Sequence, residues 1–163
     1  MRLSIVISMV LMHSVFGDGL VPVIGYVGCG SIPVDHFVCA VAMVESGGDP
    51  SICNEREDAV GILQIRPVMV REVNRIGGGG FTLDDRWNVC KSLAMFRIHE
   101  RHGIGVDGSH ESVARTWNGG PRGMGKDGTE IYWTKVKRRL YERKVCPMEG
   151  IPQGCVHRQC ACK

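Results

Sequence analysis

Residues 37–44 are apolar without a break. The run ends in a single carboxylate, Glu45, and is cut off by Ser46-Gly47-Gly48-Asp49-Pro50. A helix that is apolar on every side is normally buried, so this run predicts a core helix. Glycines relax the backbone and proline cannot continue a helix, so the helix must stop directly after Glu45. Most glutamates sit solvated at helix ends, but this one leaves the core at the end of eight apolar residues. A carboxyl held against apolar side chains has its charged form disfavoured, and its pKa rises toward neutrality. Glu45 is therefore the first candidate for acid chemistry.

The remaining pattern is helical. Asp35 is placed to cap the apolar helix. After a polar loop, Gly61-Ile62-Leu63-Gln64-Ile65 returns as an apolar segment carrying one amide. Pro67 can open a second helix over 67–76, with Val70 and Val73 inward, closed by the glycine run 77–80. Trp87, Cys90, Ala94 and Ile98 recur at helical spacing with Leu93 alongside, predicting a helix over 82–102 with Arg97, Glu100 and Arg101 facing water. Ser109 suits the cap of a shorter helix ending at Thr116. Trp133, Val136 and Leu140 predict a last helix over 129–144, whose basic end suits a helix C-terminus. No alternating strand pattern competes, so the expected fold is mostly α.

The ends read differently. Arg2 followed by the mostly apolar stretch 3–16 resembles a secretory signal, with cleavage after Gly17, and a buried N-terminal helix is the alternative. The stretch is short for a membrane span, so no stable membrane insertion is expected once it is removed. Eight cysteines form an even set, as oxidised exported domains tend to have. Four of them fall in the tail 146–163, expected to be a small disulfide knot. A zinc site from Cys155, His157, Cys160 and Cys162 is the competing reading, but the spacing matches no standard finger and export argues against it. The expected organisation is a signal at 1–17, one domain at 18–145 and the cysteine-rich tail. The net charge of +3 is compatible with an anionic polymer but does not call for nucleic acid. His99-Glu100-Arg101-His102 falls one residue short of the metalloprotease spacing, and no Gly-x-Ser-x-Gly elbow is present.

Four motifs in order, Glu45-Ser46, then Ala59-Val60-Gly61-Ile62-Leu63-Gln64-Ile65, then Trp117-Asn118-Gly119-Gly120, then Tyr132, resemble those of the soluble-type (SLT) lytic transglycosylases. That family lies within the lysozyme-like superfamily, and the likeness covers residues 36–140. It implies a lysozyme-like single domain acting on peptidoglycan glycan strands, secreted or in the periplasm or cell envelope, monomeric, with no cofactor and no metal. Glu45 would be catalytic, and Ser46, Gln64, Asn118 and Tyr132 would bind substrate or hold Glu45. Each has a plainer reading. Ser46 can be a helix stop, Asn118-Gly119 an ordinary tight turn, and Tyr132 a core aromatic. Gln64 lies among apolar residues, where an idle amide costs about 1–3 kcal/mol. Goose-type lysozymes carry a water-placing aspartate where Arg66-Pro67 stands here, so the resemblance implies a lytic 1,6-anhydro outcome. Hydrolysis assisted by Glu55, Glu57 or Asp58 is the alternative, and a non-catalytic wall-binding protein is a third.

Overall fold

A computed structural model describes residues 34–142. Among them are five α-helices: α1 (His36–Glu45), α2 (Pro67–Gly77), α3 (Val89–His102), α4 (His110–Gly119) and α5 (Asp127–Glu142). A two-residue antiparallel ribbon, β1 (Cys53–Asn54) with β2 (Ala59–Val60), lies between α1 and α2, pairing Cys53 with Val60 and Asn54 with Ala59. The mostly helical fold is as expected, but the ribbon is not, because two-residue strands are too short to alternate visibly.

α1 forms as its sequence dictates. Asp35 Oδ1 accepts from the amides of Phe37 and Val38 at 3.0 Å each, and Phe37 through Ala42 are buried. α5 packs along both α1 and α4, while α2 packs on α3. Val38, Val41, Leu63, Val73, Met95, Phe96 and Val136 are fully buried where these helices meet, each side chain contributing about 1.5–3 kcal/mol. An aromatic chain crosses this core. The rings of Phe37 and Phe96 are 5.9 Å apart, and Phe96 meets the edge of Trp117 at 5.0 Å.

Three boundaries differ from expectation. α3 starts at Val89 rather than residue 82, because Asn88 leaves helical geometry and its side chain caps the Lys91 amide. Residues 84–87 instead form a 3₁₀ turn, so Trp87 is outside the helix. α4 runs through Trp117, Asn118 and Gly119, so Asn118-Gly119 is helix and not a tight turn. α5 opens at Asp127, two residues early.

Arg97 also departs from its expected water-facing position: it is buried. Its guanidinium pairs with Asp35 Oδ2 at 3.0 Å and Glu100 Oε2 at 2.7 Å. A buried cation persists only when paired, and this one ties α3 to the cap of α1. The expected signal peptide and cysteine-rich tail lie outside the described residues, as do Cys155, His157, Cys160 and Cys162 of the zinc reading.

Candidate functional site

Glu45 is the last residue of α1. The helix ends there because the following glycines take left-handed geometry, Gly47 at φ 68° and Gly48 at φ 85°, which side chains rarely tolerate. The Ser46 hydroxyl donates to the Ile62 carbonyl at 2.9 Å and accepts from the Gly48 amide at 3.1 Å. Ser46 thus couples the end of α1 to the apolar return segment. It is not among the residues lining the cleft.

The ribbon and the return segment are held by a side chain that the sequence pattern did not single out. Arg86 is buried. Its Nη1 donates to the Asp58 carbonyl at 2.8 Å, to Asp58 Oδ1 at 3.1 Å and to the Ile65 carbonyl at 3.2 Å, while Nε donates to Leu83. Gly61 passes directly under this staple at φ 78°, and a Cβ there would collide with the Arg86 carbonyl oxygen. Gly61 is therefore needed both for its conformation and for its lack of a side chain.

These elements enclose a cleft whose lining includes Glu45, Asn54, Glu57, Gln64, Arg66, Met69, Trp117 and Asn118. Tyr132, buried on α5, donates its hydroxyl proton to Glu45 Oε1 at 2.7 Å. The pKa of Glu45 is pushed up from an ordinary 4.5 to about 7. Desolvation drives it, opposed by the hydrogen bond from Tyr132 and the charge of Arg66, with Glu57 adding to the rise and a Trp117 hydrogen bond opposing it. Glu45 as a residue is only half-buried, but its carboxyl end is the shielded part. Burial and the adjoining Glu45 together push the Tyr132 phenol well above its usual value, so it stays a donor.

Gln64 occupies the left-handed region at φ 46°, which turns its amide into the cleft wall. Its Nε2 donates to the carbonyls of Ile52 at 3.1 Å and Gly61 at 2.9 Å. Those two acceptors fix which end of the amide is nitrogen, and the amide oxygen is left for a ligand. The Asn118 side chain lines the cleft and makes no hydrogen bond among the described residues, whereas its backbone carbonyl accepts from Arg66 Nη2 at 2.9 Å. The structure thus brings Glu45, Gln64, Asn118 and Tyr132 together and leaves Ser46 behind them.

Two further residues belong here. Trp117 is wedged by His99, whose ring lies edge-on at 5.3 Å and whose Nε2 is 3.0 Å from Thr116 Oγ1. Burial pushes the His99 pKa down, so a neutral imidazole supports the indole. Glu57 is a second carboxylate on the cleft. Its side chain is 56% exposed and sits 3.9 Å from Arg66 Nη1. Asp58 is taken up by Arg86, and Glu55 does not line the cleft. Among the described residues, no group of histidines, cysteines and carboxylates could hold a metal ion. A protonated carboxyl at the mouth of a polar cleft, aimed by a phenol, can deliver a proton to an oxygen leaving group and take one back.

Lysozyme 1 of Crassostrea virginica is 34% identical over 102 residues, which are 60% of this chain and 54% of that protein. The chain spans about half the length of that curated relative. The model of the transglycosylase SLT domain matches residues 33–138, a span holding Glu45, Gln64, Asn118 and Tyr132 together with α1 to α4 and most of α5. With that match across a mostly helical, lysozyme-like single domain, the chain belongs to the transglycosylase SLT domain family.

Proposed function

We propose that this protein is a peptidoglycan-cleaving glycosidase, and specifically a lytic transglycosylase acting on the β-1,4 bond between N-acetylmuramic acid and N-acetylglucosamine. The observation that carries this reading is the shielded Glu45 carboxyl, with a pKa of about 7 and a 2.7 Å bond from Tyr132. Near pH 7 both its acid and its base form are populated, which suits a residue that must serve as each in turn.

Protonated Glu45 gives its proton to the glycosidic oxygen as the bond to C1 breaks through an oxocarbenium-like state. Ionised Glu45 then takes the C6 hydroxyl proton while O6 bonds to C1, closing the 1,6-anhydro ring and restoring the acid. O6 is carried by the same sugar, so its attack avoids most of the entropy of capturing a second reactant. The free amide of Asn118 and the Gln64 oxygen would hold the sugar's N-acetyl and hydroxyl groups, with Tyr132 aiming Glu45.

Hydrolysis of the same bond is the second reading, favoured by Glu57, which lines the cleft with Glu45 and could orient a water. Glu57 is loosely held and mostly exposed, which suits a rim residue better than a base. The remaining expectations form part of the proposal: export after loss of residues 1–17, a single catalytic domain before the tail at residue 146, and a monomer acting outside the cytoplasm. Disulfide bonding of Cys39, Cys53 and Cys90 belongs to the same reading and would suit an oxidising compartment. No helix among the described residues is long and apolar enough to cross a membrane.

Mass spectrometry of peptidoglycan digests is the test. Wild type should release muropeptides ending in 1,6-anhydromuramic acid, lighter by one water than hydrolysis products. E45Q should lose turnover by about a hundredfold or more, and E57Q should leave the anhydro products in place. Reducing-end products that vanish in E57Q would establish hydrolysis. Near-normal turnover by folded E45Q would remove Glu45 from the chemistry, and wild type that binds but never cleaves the wall would mark a binding protein.

A further inference from the structure

Arg66 stands at the head of α2 but does not serve that helix. As its N-cap residue it makes no side-chain cap bond, and Pro67 opens the first turn. A guanidinium has no acceptor to offer a helix N-terminus, and the positive end of the dipole repels it. The side chain reaches the end of α4 instead. Its Nη2 donates to the Asn118 carbonyl at 2.9 Å, 52 positions along the chain, while Nη1 lies 3.9 Å from Glu57.

The carbonyls of the last turn of α4 have no later helical amide to accept from. Arg66 takes that of Asn118, and Lys126 Nζ takes that of Gly119, so cations close the end of the helix that favours positive charge. The two differ in one respect. Arg66 lines the cleft with Glu45, Gln64, Trp117 and Asn118, and Lys126 is not among the lining residues. Glu45 is faced by Tyr132 from α5, by Arg66 from the head of α2 and by Glu57 from the turn of the ribbon, while α4 presents the uncharged Trp117 and Asn118. The charge of Arg66 favours ionised Glu45, and that of Glu57 opposes it.

We propose that Arg66 is a positioning residue of the reaction, which holds the Asn118 turn of α4 at the cleft wall and keeps a fixed positive charge beside Glu45 once the carboxyl has given up its proton. The inference rests on the glycosidase reading, in which ionised Glu45 must persist beside an oxocarbenium-like sugar until it takes a proton back. A planar guanidinium serves both purposes at once, with one nitrogen on the carbonyl and the other toward the cleft. The single ammonium of a lysine keeps the charge but not this fork.

The test follows the Glu45 carboxyl carbon by NMR titration of the full chain, together with KM and kcat on peptidoglycan oligosaccharides. Folded R66M should titrate higher than wild type by about half a pH unit or more, the effect of one charge nearby in a wet cleft, and its alkaline fall of kcat/KM should move with it. E57Q should shift the titration the opposite way. R66K should leave the titration near that of wild type yet raise KM about fivefold, the worth of one hydrogen bond. K126M, which opens the same helix end without touching the charge in the cleft, should leave the titration in place. An unmoved titration in R66M would overturn the proposal, as would an equal shift in K126M, which would assign the effect to the helix end alone. Unchanged KM in both R66K and R66M would remove the hold on Asn118. Should R66M fail to fold, R66K and E57Q carry the same test, and an unmoved titration in E57Q would then overturn it. Failure of the glycosidase reading is seen separately, as absence of turnover by wild type, while the carboxyl titration still reports on Arg66.

Discussion

At the scale of single residues, the site sets stability against acid chemistry. Glu45 titrates at about 7 in the fold against an ordinary 4.5. The folded state therefore holds this proton more tightly than the unfolded chain, and stability present below pH 4.5 is lost as pH rises to 7. The loss is on the order of 2–3 kcal/mol. E45Q removes the titration, so its melting temperature should exceed that of wild type increasingly between pH 4.5 and 7 and by a constant margin above. A constant difference at every pH would show that Glu45 is not held in its acid form. Tyr132 gives the complementary case. Its bond lowers the Glu45 pKa, so Y132F should move the alkaline fall of kcat/KM to higher pH and reduce the maximum. An aromatic that merely packed would reduce activity without moving that limb.

At the scale of elements, the cleft depends on how the return segment is pinned. Gly61→Ala forces a methyl group into the Arg86 carbonyl and an L residue into left-handed geometry. It should cost about 2–4 kcal/mol in denaturant unfolding and lower turnover, because the same ribbon carries Asn54 and leads to Glu57. Unchanged stability would mean the ribbon is free to shift. What the sequence disclosed follows from the range of the forces involved. α1, its Asp35 cap and the stop after Glu45 are local events, written in consecutive residues, and so were legible. The grip of Arg86 on Asp58 spans 28 positions and that of Arg97 on Asp35 spans 62; nothing local marks either arginine as buried. The pairing of Tyr132 with Glu45 across 87 positions was expected only through family likeness. Asn88 shows the reverse failure: its cap was local, but the apolar spacing that continued through Trp87 concealed it.

At the scale of the whole molecule, three cysteines lie on the elements that build the cleft and its support. Cys39 lies in α1, which ends in Glu45. Cys53 lies in β1, whose neighbour Asn54 lines the cleft, and Cys90 lies in α3, which carries His99 behind Trp117. We propose that all three are held in disulfides; Cys39 and Cys90 are each only 6% exposed. A bridge stabilises chiefly by restricting the unfolded chain, and loss of one typically costs about 2–5 kcal/mol. Two consequences are measurable on protein secreted from an oxidising host. Alkylation under denaturing, non-reducing conditions should leave Cys39, Cys53 and Cys90 unmodified. Reduction should lower the denaturant midpoint, and activity should fall at denaturant concentrations where far-ultraviolet circular dichroism is still native, because the two-residue ribbon has far less packing to hold it than the helices do. Modification of any of the three thiols without reductant would sink the bonded assignment. Loss of activity and of helix signal at one shared midpoint would show instead that the cleft and the core open as a single cooperative unit.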